Sequence, residues 1–315
     1  MAGPIGVACF GECMIELNGE AFGTMRQTFG GDSLNTAVYL ARCAAGCGLT
    51  VSYATAVGDE FLSDGLLARW QAEGIDLGLV RRLPGRMPGL YQISVDPRGE
   101  RHFSYWRGQS AARDYFEVDE TPLERDVQAR RLQALYCTGI SLAILPPSGR
   151  ARLLALARRM REQGGSVAFD NNFRPRLWQH PDLAREAHAA MMDCASLLLL
   201  TLDDEKALWG ETDADRQRAR SIGRSGSEIV IKRGALPTVV KTFDGAVIEV
   251  PTEHVQQVVD TTAAGDSFAG GYLAARLAGR SPSDAARLGN RLASRVIQHR
   301  GALMPVEAMA DLRLG

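Results

Sequence analysis

The sequence predicts an α/β protein: a mostly parallel sheet covered by helices on both faces, with a small separate β-sheet standing apart from it. Short apolar, β-branched runs alternate with amphipathic stretches along most of the chain, as in parallel strands joined by helical crossovers. Between residues 87 and 116 the apolar period changes to two around a turn sequence, as in an exposed hairpin. The length of 315 residues suits one large α/β domain with an appendage, or two domains.

Taken in order, residues 5–10 read as a buried first strand. Asp32 is placed to cap a helix running to about residue 45, with Leu34 and Val38 marking its faces. A second strand covers 49–57, and a second helix covers 61–73 and ends at Gly74. The hairpin follows as Leu90-Tyr91-Gln92-Ile93-Ser94-Val95, a turn at Asp96-Pro97-Arg98-Gly99, then Arg101-His102-Phe103-Ser104-Tyr105-Trp106. With the segment 13–28 it can form a small sheet standing apart from the main core, built from about 13–28 and 87–116.

From residue 135 the strand–helix alternation resumes. Strands are expected at 135–138, 166–170, 196–200, 228–232, 238–242 and 247–250. Helices are expected at 148–163, 183–192, 204–209, 215–224, 264–278 and 283–298. In such a sheet, ligands lie at the carboxyl ends of the strands.

Composition excludes several classes. The net charge of −1 provides no basic stripe for a nucleic-acid partner. No apolar run is long enough to cross a membrane and no leader pattern opens the chain, which points to the cytoplasm. The six cysteines lack zinc-site spacing and have no histidines beside them, so they read as reduced thiols rather than a metal site. Of 36 basic residues only Lys206, Lys232 and Lys241 are lysine, which leaves anion recognition largely to arginine. Lysine in a P-loop context is missing, and Gly46-Cys47-Gly48 precedes a strand instead of following one, which argues against a dinucleotide fold.

The most informative segment is Val259-Asp260-Thr261-Thr262-Ala263-Ala264-Gly265-Asp266-Ser267-Phe268-Ala269-Gly270-Gly271. An apolar run ends in a turn almost bare of side chains, and an apolar helix follows. Backbone N–H groups at that helix start can face an anion, with the helix dipole adding positive potential. Asp266 sits beside them, and a carboxylate next to an N–H cradle suits phosphoryl transfer. By itself the segment reads equally well as an ordinary capped helix with an acidic first turn. The adjacent Gly270-Gly271 is tolerable where a neighbouring backbone comes close.

This segment resembles the C-terminal motif DTxGAGDxF of the ribokinase-like (PfkB) carbohydrate kinases, and Phe29-Gly30-Gly31-Asp32-Ser33-Leu34-Asn35-Thr36-Ala37 resembles the N-terminal motif of that family. Ala263 stands where the family commonly has Gly; Ala resists positive φ, but a helix entry need not use that conformation. Further stretches resemble the 2-keto-3-deoxygluconate kinase subgroup: Gly11-Glu12-Cys13-Met14-Ile15-Glu16-Leu17, Pro88-Gly89-Leu90-Tyr91, Tyr105-Trp106-Arg107 and 203–210.

The resemblance implies ATP-dependent phosphorylation of the terminal (C6) hydroxyl of 2-keto-3-deoxygluconate, with Asp266 as general base and Ala263, Ala264 and Gly265 in the anion cradle. Gly31, Asp32, Asn35, Tyr91 and Tyr105 would hold the sugar, and Arg107 and Arg174 its carboxylate. Paired arginines fit an acid better than a neutral hexose. Asn172, Lys232, Gly234 and Asn290 would hold ATP; Asn290 reads otherwise as a helix-surface amide. Asp204 and Glu205 fall where the family ties an N-x-x-E motif to Mg²⁺ waters, although Thr201 replaces the Asn. The resemblance also implies a single ribokinase-like domain over 1–315 whose small sheet, about 13–28 and 87–116, serves as a lid, and by analogy a monovalent cation (K⁺) near Asp260 and Gly301. Pairing lid to lid would bury the aromatic hairpin, which suggests a homodimer or higher homo-oligomer. The alternatives are a kinase for fructose or another neutral sugar, and a non-catalytic sugar or nucleotide sensor.

Overall fold

The computed structural model describes residues 5–95, 101–213, 216 and 221–315. The strands are β1 (Ile5–Phe10), β2 (Met14–Gly19), β3 (Met25–Gly30), β4 (Leu49–Val57), β5 (Val80–Arg82), β6 (Gly89–Val95), β7 (Arg101–Trp106), β8 (Ala134–Thr138), β9 (Ser166–Asp170), β10 (Leu197–Thr201), β11 (Glu228–Arg233), β12 (Leu236–Lys241) and β13 (Val247–Val250). Nine of them form one sheet in the order β13-β12-β11-β10-β9-β8-β1-β4-β5. The pairings from β5 to β11 are parallel, while β12 and β13 are added antiparallel at one edge.

Both faces of this sheet are covered, so its strands alternate between two apolar cores rather than between core and water. In β10, Leu197 and Leu199 enter one core and Leu198 and Leu200 the other. The helices are α1 (Asp32–Cys43), α2 (Phe61–Ala72), α3 (Pro122–Gln128), α4 (Gly139–Ile144), α5 (Pro147–Glu162), α6 (Pro181–Cys194), α7 (Leu202–Trp209), α8 (Ala264–Leu277) and α9 (Pro282–Val296). Tyr39 of α1, Phe268 and Tyr272 of α8 and Leu292 of α9 fill the first core; Leu123 of α3, Leu153 of α5 and Met191 of α6 fill the second.

The four remaining strands make the separate small sheet, in the order β3-β2-β6-β7. The expected hairpin is present, with Tyr91 opposite Tyr105 and Leu90 opposite Trp106. The turn at Asp96-Pro97-Arg98-Gly99 and most of the helix expected over 215–224 lie outside the described residues. Three short elements had no periodicity to reveal them: β5, α3 and α4. The first helix ends at Cys43, two residues short of expectation, and its cap is Gly31 rather than Asp32.

Helix α8 runs between α1 and α9, and its glycine pair is where they meet. A Cβ at Gly270 would stand 2.7 Å from Tyr39 Cβ and 2.8 Å from the Thr36 carbonyl oxygen. This contact brings the first turns of α1 and α8 together at the carboxyl ends of the central strands.

Candidate active site

Asp266 lies in the first turn of α8, and Asn35 in the first turn of α1. Asn35 Nδ2 donates to Asp266 Oδ2 at 2.8 Å, and Thr36 Oγ1 donates to the Asp266 carbonyl at 3.2 Å. Asn35 is expected to face sugar hydroxyls; its amide nitrogen meets the acid, because glycine-mediated helix packing puts the two turns in contact, and its Oδ1 is buried with no partner among the described residues. Desolvation raises the Asp266 carboxyl to about 7, and the nearby negative charges of Asp32 and Asp170 act in the same direction; the Asn35 hydrogen bond and Lys232 oppose them.

The helix entry departs from expectation. Ala263 is the N-cap and adopts φ 60°, ψ 15°, the left-handed region. For a residue with a Cβ this conformation costs about 1–2 kcal/mol. The cradle is also smaller than the sequence implied, since the Ala264 amide donates to the Thr261 carbonyl at 3.3 Å. Among the described residues the amides of Ala263, Gly265 and Asp266 have no backbone acceptor, so these three are the open donors at the helix start.

Asp32 does not cap α1. Its Oδ2 accepts from Thr138 Oγ1 at 2.6 Å and from Asn172 Nδ2 at 2.6 Å, tying α1 to the ends of β8 and β9. Asn172, expected to hold ATP, thus sits against Asp32, which is expected to hold the sugar. Lys232 Nζ donates to Asp170 Oδ2 at 2.6 Å. Lys232 also stands over the anion loop, 3.4 Å from where a Gly265 Cβ would lie. Burial raises the Asp170 carboxyl, with Lys232 pulling it back down.

Beside this loop opens a cleft of about 730 Å³ lined by Lys232, Gly234, Gly265, Phe268 and Asn290. That size suits a nucleotide. Asn290 is not a surface amide: it is 5% exposed. Its Oδ1 accepts from Thr238 at 2.7 Å and its Nδ2 donates to the Pro251 carbonyl at 3.0 Å, so it shapes the cleft wall.

The two proposed carboxylate readers stand apart in the residues they touch. Arg107 follows strand β7 of the small sheet and is paired with buried Glu12. Arg174 follows β9, is half exposed, and meets Asp204 at 3.3 Å. Burial raises the Asp204 carboxyl while Arg174 lowers it. Glu205 is buried, with Asn171 Nδ2 at 3.1 Å from its Oε1. The small sheet contributes Tyr91, whose hydroxyl donates to Glu16, and half-exposed Tyr105, whose ring lies 5.9 Å from that of Tyr91. Gly31 packs so closely on the Glu12 carbonyl that a Cβ would fall 2.2 Å from it. Glu12, Glu16 and Asp170 are the site acids that sequence reasoning missed. Their signal was a charged residue in or just after an otherwise apolar strand.

The chain matches the pfkB family carbohydrate kinase model over residues 5–309. It belongs to the pfkB family of carbohydrate kinases. It is 47% identical over 305 residues to a 2-dehydro-3-deoxygluconokinase of Dickeya dadantii, covering 96% of this chain and 98% of that protein. It is 45% identical over 305 residues to a protein of the same name from Escherichia coli K12, with 96% and 98% covered. Among solved structures, a fructokinase from Xylella fastidiosa with bound ATP shares the fold at a TM-score of 0.78 and 23% identity, covering 98% of this chain and 97% of that one. As a pfkB-family chain, it carries the two family motifs at the meeting point of α1 and α8. Among the described residues no helix is long and apolar enough to cross a membrane.

Proposed function

We propose that the chain is an ATP-dependent 2-dehydro-3-deoxygluconokinase. It phosphorylates the terminal C6 hydroxyl of 2-keto-3-deoxygluconate to give 2-keto-3-deoxy-6-phosphogluconate. The observation that carries the reading is Asp266: an acid raised to about 7 beside the open amides of Gly265 and its own backbone. Near full-length relatives named for this activity support the choice of acceptor.

In this reading the acceptor hydroxyl lies beside Asp266. Asn35 occupies Oδ2, so Oδ1 takes the proton as the hydroxyl oxygen attacks the γ-phosphorus of ATP, while the bond from that phosphorus to the β,γ-bridging oxygen breaks and ADP leaves. The amides of Gly265 and Asp266, with Lys232, steady charge on the phosphoryl oxygens. Gly234 and Asn290 shape the nucleotide cleft, while Gly31, Asp32, Tyr91 and Tyr105 border the sugar. Arg107 and Arg174 are assigned to the carboxylate.

Mg²⁺ bound with the nucleotide would neutralise phosphate charge. The carboxylates of Asp204 and Glu205 are hard oxygen donors of the kind that hold its waters. A K⁺ ion is assigned near Asp260, whose Oδ2 accepts the Gly301 amide at 3.0 Å. The lid carries the exposed rings of Phe22, Phe103, Tyr105 and Trp106, which supports a homodimer paired through it. We place the protein in the cytoplasm.

A neutral-sugar kinase is the second reading, favoured by one observation: Arg107 and Arg174 both already face carboxylates of the chain. A coupled ATP-consumption assay over a panel of sugar acids and neutral sugars separates the two. Highest kcat/KM on 2-keto-3-deoxygluconate is the expected result; a preference for fructose overturns the assignment.

A further inference from the structure

Where lid and core meet, Glu12 and Arg107 form a buried pair that is only half completed. Glu12 follows β1, and Arg107 follows β7. Arg107 Nη2 donates to Glu12 Oε2, and the side chains are 13% and 1% exposed respectively. Glu12 Oε1 and Arg107 Nε are both buried, and neither has a partner among the described residues. A buried ion pair with a donor and an acceptor left over is less stable than apolar packing in the same space. Its presence calls for a reason other than stability.

The backbone around the pair is shaped to admit it. A Cβ at Gly89 would sit 2.8 Å from Glu12 Oε1 and 3.1 Å from Arg107 Cβ. Glycine at Gly31 lets the start of α1 close on the Glu12 carbonyl, and the Gly31 carbonyl accepts the Asn35 amide at 2.8 Å. Glu12 therefore touches the lid arginine on one side and the turn that begins α1 on the other. The Arg107 guanidinium carbon lies 6.0 Å from the Tyr105 ring centroid, so the fork is held between an aromatic ring and a carboxylate.

We infer that Glu12 is a specificity-determining positioning residue, which fixes the Arg107 guanidinium so that its remaining donors meet the acceptor's carboxylate; this rests on the keto-acid reading of the site. Arginine presents five donors in a rigid planar fork. Anchoring one of them through Glu12 Oε2 orients the rest before the acceptor arrives, which removes an ordering cost from binding. A neutral sugar has no carboxylate to use that orientation, so the effect of Glu12 is selective for the acid.

The test is steady-state kinetics of the full chain and its Glu12→Gln, Glu12→Asp, Arg107→Ala and Glu12→Gln/Arg107→Ala variants, with 2-keto-3-deoxygluconate, fructose and ATP varied in turn, alongside thermal melts. Glu12→Gln is expected to raise KM for the keto acid roughly tenfold, within the range of coupling between contacting charges. Its kcat and its KM for ATP stay near wild type. Glu12→Asp keeps the charge and recovers part of the loss, and in the Arg107→Ala background Glu12→Gln adds nothing. An unchanged KM for the acid in a folded Glu12→Gln protein overturns the inference. So does a full Glu12→Gln effect without Arg107, or an equal loss on every substrate with a lowered melting temperature in both Glu12 variants. If the wild-type protein itself fails to phosphorylate the keto acid, the proposed function fails first and takes this inference with it.

Discussion

Asn35 Nδ2 and Asp266 Oδ2 lie 2.8 Å apart although 231 positions separate the residues in sequence. The bond joins the first turns of two helices, and it holds a carboxylate whose surroundings otherwise favour its protonated form. The donated hydrogen bond favours the charged form, so Asn35 tunes the acid as well as aiming it.

That balance predicts a pH profile. A proton acceptor must be ionised, so kcat/KM rises with pH along an acid limb centred near 7. Asn35→Ala removes an interaction that lowers the Asp266 carboxyl and shifts the limb to higher pH. Asp32→Asn removes a neighbouring negative charge and shifts it lower. Profiles at saturating ATP check both signs, and a limb that stays put in Asn35→Ala breaks the link.

Asp266→Asn should bind both substrates near normally while kcat falls by roughly 10² or more. Its stability also carries a sign. An unfolded aspartate ionises near about 4 and the folded one near 7, so wild-type stability falls as pH rises through that window and stays lower above it. Asparagine has no such titration. Melting temperatures should therefore favour Asp266→Asn at about pH 8, with the advantage shrinking toward about pH 4.

Arg107→Ala should raise KM for the sugar acid by roughly 10- to 100-fold, the scale of a lost charged hydrogen bond. Arg174→Ala should cost less, because its side chain is half exposed and shared with Asp204. Fructose kinetics on the same variants supply the control. No loss on the acid in Arg107→Ala favours a neutral acceptor.

Ala263→Gly should stabilise the fold slightly. Releasing the left-handed cost gains about 1–2 kcal/mol, offset by about 0.4–1 kcal/mol of unfolded-chain entropy. A denaturant melt reads the difference, and a loss of stability would contradict the φ of 60° at this cap.

Gly270→Ala should destabilise by about 1–3 kcal/mol, since the new methyl meets Tyr39 and the Thr36 carbonyl in a packed core. The same displacement separates Asn35 from Asp266, so kcat should fall with it. A stable, fully active Gly270→Ala protein would mean that α1 and α8 do not meet at this glycine.

Most of the sheet was legible because its signal is local. A buried strand such as Leu197-Leu198-Leu199-Leu200 announces itself by apolar content, and β4 and β9 fall at the expected bounds. Short elements such as α4, with six residues, contain too little periodicity to stand out. The lid hairpin was readable for the opposite reason, since its alternation of aromatic and polar residues contrasts with the solid apolar strands of the core.

Local pattern alone thus determined the strands, the helices, the glycine-rich turns and the placement of Asp266 at a helix start. Tertiary structure decided what those residues touch. It turned Asn35 onto Asp266, moved Asp32 from a cap to the strand ends of β8 and β9, buried Asn290 in a cleft wall, and set Glu12 against Arg107. Helix and strand propensity act over a few neighbouring residues, whereas a side chain's partner depends on which distant surfaces packing brings within about 3 Å. Glycines at Gly31, Gly89 and Gly270 set those approaches, and their effect is visible only once the surfaces have met.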